Sequence, residues 1–131
     1  MKSLTLVLLA TLWTACTVHA EVVVIVNPAA TAPTKEQVVD VYLGKSKEFT
    51  PVDLPDSSPL RAEFYQKATG RDLMQVKSVW SRIVFSGKGL APAEHADAQA
   101  VKKAVAANPK LIGSIDKTAV DATVKVAFSL N

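Results

Sequence analysis

Glu21–Val26, EVVVIV, is an unbroken β-branched run behind a single acid, and Asn27-Pro28 ends it. A strand with one face in water alternates apolar and polar residues. This one does not, so it reads as a strand buried on both faces, as in the interior of an α/β sheet. Downstream, NPAATAP leads to Thr34-Lys35-Glu36-Gln37, a capping box, and Val38, Val39, Val41, Tyr42 and Leu43 form an apolar stripe closed by Gly44. Phe49 to Leu54 alternates as a second strand, with Pro51 tolerated near its start. Pro59 to Thr69 reads as a helix with a first-turn proline and a closing Gly70. Asp72 caps a third helix, with Leu73, Val76, Trp80, Ile83 and Val84 at helical spacing up to Phe85. Asp97 caps a fourth, AQAVKKAVAA, which Asn108-Pro109 stops. LIGSI and TVKVAF follow as strands around Asp116 to Asp121, a segment suited to one helical turn. Strands separated by helices imply a layered α/β domain, with a central sheet of about four strands flanked by about four helices.

Working back from Glu21, Met1-Lys2 is a short basic start, Leu4 to Leu12 is apolar residues and threonine, and Val18-His19-Ala20 has compact residues where signal peptidase reads. Residues 1–20 are therefore expected to be a secretory signal peptide cleaved after Ala20, leaving one domain over residues 21–131 in the periplasm. Cys16, the only cysteine, lies in the leader, so residues 21–131 have no thiol to form a disulfide or bind metal. A lipoprotein with Cys16 acylated would ask for leucine where Trp13 stands. No later run approaches the roughly 20 apolar residues of a membrane helix, so no membrane insertion is expected after cleavage. The formal net charge is +3, with lysines and acids interspersed, which is too weakly basic to argue for nucleic acid.

His95 is the sole histidine after the leader and sits among small and polar residues in LAPAEHADAQ, which reads as a loop. There is no G-x-S-x-G, H-E-x-x-H, Walker-type or G-x-G-x-x-G pattern. A non-enzymatic protein without metal or cofactor is expected.

The stretch VDLPDSSPLRAEFYQKATG, Val52–Gly70, bears on ligand binding. Ser57 and Ser58 stand before the helix start, with Arg61 about one turn inside. Free N–H groups, the macrodipole and serine hydroxyls together favour an oxyanion there, and Arg61 supplies a forked cation if it folds back. The same residues also fit a serine-capped helix whose Arg61 pairs with Asp56 or Glu63. Asn27, at the carboxyl end of the first strand, and Lys88, in SGKG, are further candidates, each equally readable as a turn residue. Tyr42, Phe64, Trp80 and Phe85 lie on apolar helix faces and are expected in the core.

In order along the chain, EVVVIVNPAA, PTKEQVVDVYLGKSKEF, the serine-led helix ending in EFYQKATG, VWSRIVFSGKG and VKKAVAANPKLIGSID resemble the phosphate-binding-protein-like family of bacterial ABC-transporter receptors. The likeness is to its short members, a single lobe of the type II periplasmic-binding-protein fold. Full receptors of the family hold the oxyanion between two lobes, so the resemblance implies half a cleft. Their segment resembling Arg-x-x-Gly-Ser-Gly-Thr, counted back from the shared aromatic at Phe64, puts its serine on Ser58. Its glycines fall on Ser57 and Pro59, its threonine on Leu60 and its arginine on Leu54. The resemblance thus implies Ser58 as a ligand, while Arg61 enters as a substitute cation. The expectation is weak binding of phosphate or a similar oxyanion by Ser57, Ser58 and Arg61. The alternative is an interaction module that keeps the lobe without its ligand and serves a transporter, porin or sensor. A homodimer would rebuild a two-sided cleft.

Overall fold

In the computed structural model, which describes residues 21–130, Val22–Val26 forms β1 with all five side chains buried. Residues 1–20, where the secretory leader is expected, lie outside the described residues together with Cys16 and His19. The other strands are β2 (Thr50–Asp53), β3 (Ala93–Glu94), β4 (Leu111–Asp116) and β5 (Lys125–Leu130), in the spatial order β3-β2-β4-β1-β5. β1 is antiparallel to both its neighbours, β4 and β5, whereas β2 is parallel to β4 and to β3. β1 is therefore interior, as its unbroken apolar run requires, but it runs against the rest of the sheet. β3 is a two-residue strand within the segment expected to be a loop, and it makes the sheet five-stranded.

The helices are α1 (Lys35–Tyr42), α2 (Pro59–Thr69), α3 (Leu73–Phe85) and α4 (Ala98–Ala107). Thr34 and Gln37 close the capping box of α1, and Asp72 and Gln75 close another on α3. Gly70 ends α2 at φ 70°, a left-handed conformation that costs glycine nothing. A 3-10 turn, Lys117–Ala119, fills the segment before β5.

The alternation of β1 divides the core between two layers. Val22, Val24 and Val26 face Val38, Tyr42, Phe64, Tyr65 and Trp80 from α1, α2 and α3. Val23 and Ile25 face Val52, Val101, Val105 and Ile115, with α4 covering that side. On the first side the rings of Tyr42, Phe64 and Tyr65 meet edge to face at 4.7 to 5.8 Å. The Tyr42 O–H points between the carbonyls of Val52 and Ile112, at 3.0 and 3.1 Å, and Trp80 Nε1 donates to Tyr42 O at 2.9 Å. On the second side Gly113 lets α4 approach β4: a Cβ there would stand 2.6 Å from Val101 Cγ1.

Phe85 departs from expectation. It is 96% exposed, and Val84 is 44% exposed: in the last turn of α3 it is Ile83 that packs on the core, which leaves Val84 and Phe85 to solvent. Tyr42, Phe64 and Trp80 are buried as their spacing predicts.

Candidate functional site

β2 and β4 run in parallel, so their carboxyl ends, Asp53 and Asp116, lie at the same edge of the sheet. Open α/β sheets bind ligands at such an edge. There Pro55 turns the chain, Ser58 N–H donating to Pro55 O at 2.9 Å, and Pro59 opens α2. A cleft of about 380 Å³ lies between this turn and the start of α4, bordered by Ser57, Ser58, Leu60, Asp97, Ala98 and Asp116.

Ser58 occupies the N-cap position of α2, but its hydroxyl makes no capping bond. A serine that caps its helix by its side chain is one of the readings above, and the geometry does not follow it. The N–H of Arg61 is instead taken by the Ser58 carbonyl at 3.2 Å, as a tightened first turn allows. Both serine hydroxyls thus stay available, and helix geometry leaves the N–H of Leu60 without an intrahelical acceptor. The acids facing them serve the backbone: Asp97 Oδ1 accepts from Ala100 N at 2.8 Å to cap α4, and Asp116 Oδ1 accepts from Thr118 N at 2.9 Å. Their bonds are satisfied, but their charges remain at the cleft.

Arg61 does not share this cleft. Its side chain is buried, 7% exposed, and turned toward carboxylates. Nη1 lies 2.6 Å from Asp56 Oδ1, 2.7 Å from Glu94 Oε1 and 3.2 Å from Leu54 O, while Nη2 lies 3.4 Å from Asp53 Oδ2. Lys77 of α3 closes on the other oxygen of Asp56. The Arg61 Nε–H is buried without an acceptor. Two cations thus face three carboxylates, at one end of a separate cleft of about 490 Å³ that Arg61, Lys77 and Glu94 border with Trp80 and Phe85. What the cluster does is structural: it ties the end of β2, the start of α2, β3 and α3 to one guanidinium.

Asp53 is the most buried acid of the cluster, 2% exposed, and accepts the Tyr65 O–H at 2.7 Å. Burial pushes its carboxyl up from 3.8 to about 6, with the Tyr65 bond and Arg61 pulling it back and Glu94 and Asp56 adding to the rise. Burial, and then the nearby Asp53 charge, hold the Tyr65 hydroxyl well above its ordinary range. Asp56 is lowered, chiefly by the bond from Lys77.

Asn27 is at the opposite edge of the sheet from Ser57 and Ser58. The carboxyl end of an antiparallel β1 meets the start of β4, Val26 pairing with Ile112. Its amide donates to Val105 O at 3.2 Å and Ala106 O at 2.9 Å, and its Oδ1 accepts from Ala29 N at 2.9 Å, so it fastens β1 to the end of α4. Lys88 is also remote: it borders a shallow cleft with Gly44, Lys47, Thr50 and Leu90, beside the start of β2. Of the five sequence candidates, only Ser57 and Ser58 come together.

The acids around Arg61 were only partly visible in advance. Asp56 was a named partner; Glu63 pairs instead with Lys67, 2.7 Å away. Asp53 carried a weak signal, a carboxylate between the apolar Val52 and Leu54. Glu94 carried none. Among the described residues no group of three or more His, Cys, Asp and Glu is arranged to hold a metal ion, and no helix is long and apolar enough to cross a membrane.

No protein-family model matches the sequence, and no curated protein does. Solved structures do match. An ABC-type phosphate transport receptor from Vibrio cholerae aligns at a TM-score of 0.62 and 20% identity, over 82% of this chain and 45% of the receptor. A protein described as a phosphate ABC transporter substrate-binding protein, with bound phosphate, from Clostridium perfringens aligns at 0.65 and 18% identity, over 82% of this chain and 44% of that one. The chain spans less than half the length of the receptors it matches. The fold is thus the expected one: a single periplasmic-binding-protein-like lobe, a five-stranded open sheet with four helices.

Proposed function

We propose that this protein is an exported, non-enzymatic domain of solute-binding type, resident in the periplasm, that holds phosphate or a similar oxyanion weakly in the cleft where β2 and β4 end. The observation that carries the reading is the pair of unengaged hydroxyls, Ser57 and Ser58, at the N-terminus of α2 and at the carboxyl edge of parallel strands. The lobe shares its fold with a protein described with bound phosphate. In this reading Ser57, Ser58 and the Leu60 N–H donate to the anion. Arg61, the third ligand expected from the sequence, contributes only as a nearby charge, since its guanidinium already meets three carboxylates.

Weak affinity follows from the charges. Two helix N-termini offer roughly half a positive charge each, against the full negative charges of Asp97 and Asp116. An anion held from one side also keeps much of its hydration.

Isothermal titration with phosphate, sulfate and a chloride control at low ionic strength tests the proposal. Asp97→Asn keeps a good N-cap residue and removes one negative charge from the rim of the cleft, so it should tighten phosphate binding by roughly threefold or more. Ser57→Ala/Ser58→Ala should abolish the binding. If neither the parent nor Asp97→Asn gives heat beyond the chloride control, the reading fails.

The capture of Arg61 by carboxylates favours a second reading, in which the lobe has kept its fold, lost its ligand and serves a transporter as an interaction module. That reading predicts no phosphate heat in any variant.

A further inference from the structure

The two most exposed large apolar side chains among the described residues, Phe85 at 96% and Leu90 at 85%, flank the turn that follows α3. The segment after α1 lies against the same end of α3, so closely that a Cβ on Gly44 would stand 2.3 Å from Ile83 Cδ1. Lys45 and Lys47 follow Gly44 in the chain, Arg82 precedes Ile83 and Lys88 lies in the turn after α3, and Lys47, Lys88 and Leu90 border one shallow cleft. All four cations are exposed, and none makes an ion pair among the described residues. Glu48 is the one acid in residues 43–49 and 82–91. The tip therefore presents two projecting apolar side chains, Leu90 beside Lys47 and Lys88 and Phe85 on the neighbouring face, with four unpaired cations in the same segments.

Charge and shape select the occupant. A second copy docking tip to tip would set cations against cations. At these exposures Phe85 and Leu90 stand clear of their neighbours, which suits a partner that yields around them. We propose that this tip docks on an anionic lipid bilayer, with Phe85 and Leu90 entering the interfacial layer and Lys45, Lys47, Arg82 and Lys88 meeting the charged headgroups. Apolar insertion and a basic patch are each marginal anchors alone and reversible but stable together. The surface lies beside the start of β2, at the far edge of the sheet from Ser57 and Ser58, and the inference is independent of oxyanion binding there.

Co-sedimentation of the purified exported protein with phosphatidylcholine vesicles, with and without phosphatidylglycerol, tests this. The protein should pellet with the phosphatidylglycerol vesicles only, and added salt should release it. Phe85→Ser/Leu90→Ser and Lys47→Glu/Lys88→Glu should each weaken pelleting by roughly tenfold or more. These side chains are exposed, so unchanged circular dichroism and melting should accompany the loss. Absence of pelleting by the parent, or parent-like pelleting by both variants, overturns the proposal. So does a dimer in sedimentation velocity that Phe85→Ser/Leu90→Ser dissociates, which would give the surface to a second copy.

Discussion

Asp53→Asn should change how stability depends on pH more than it changes the structure. Asp53 is 2% exposed, and its carboxyl sits at about 6 where an unfolded chain would have it near 3.8. The folded state therefore binds this proton more tightly than the unfolded state. Below about pH 4 both states hold the proton and the group is neutral in its effect. Between about pH 4 and 6 the unfolded chain is ionised while the folded chain keeps its proton, so Asp53 withdraws stability across that window and the loss is complete above about 6. A shift of this size corresponds to something on the order of 3 kcal/mol between about pH 4 and pH 7. Asparagine keeps an oxygen for the Tyr65 O–H and does not ionise, while Asp56 and Glu94 remain on Arg61. Urea denaturation of parent and variant across this range gives the test, because the other carboxylates cancel in the difference. The variant should gain on the parent by roughly 3 kcal/mol from the acid to the neutral end. A difference that is flat with pH, or that grows toward acid, would mean that Asp53 does not hold its proton more tightly in the folded chain.

Arg61→Ala should cost roughly 3 to 5 kcal/mol in denaturant melts, because it leaves Asp53 buried without its cation; a loss under about 1 kcal/mol would mean that Arg61 is a surface side chain after all. Gly113→Ala should destabilise by roughly 1 to 3 kcal/mol, since the new Cβ meets Val101 Cγ1 at 2.6 Å and α4 must shift. Asn27→Ala should cost roughly 1 to 3 kcal/mol by stranding the carbonyl of Ala106 and leaving that of Val105 only the Asn108 N–H, and phosphate titration should find its binding unchanged.

Local chemistry made the helices legible. Thr34 with Gln37, Asp72 with Gln75, and Asp97 each satisfy backbone donors within three residues, so the start of a helix is written where it occurs. β1 was legible because burial on both faces leaves no polar position in the run. β3 was not, because two residues form a strand only through pairing with β2, a neighbour some 40 positions earlier. Periodicity marks the apolar face of α3 but not which residue of its last turn meets the core; Ile83 does, and Phe85 is left exposed. Strand direction is likewise absent from the sequence. The rule that ligands gather at carboxyl ends suits β2 and β4, and fails for Asn27 because β1 runs the other way. The pairing of Arg61 with Asp56 was readable at a separation of five residues, whereas Glu94, 33 residues away, arrives only through the fold.

Amide chemical-shift mapping with phosphate most directly tests the central claim, that the carboxyl edge of β2 and β4 is an oxyanion site. Phosphate should cause saturable shifts at Ser57, Ser58, Leu60 and Ala98 and none at Asn27 or Lys88, and the shifts should be lost in Ser57→Ala/Ser58→Ala. A titration that leaves Ser57 and Ser58 unmoved, or that moves Asn27 or Lys88 instead, would contradict that claim.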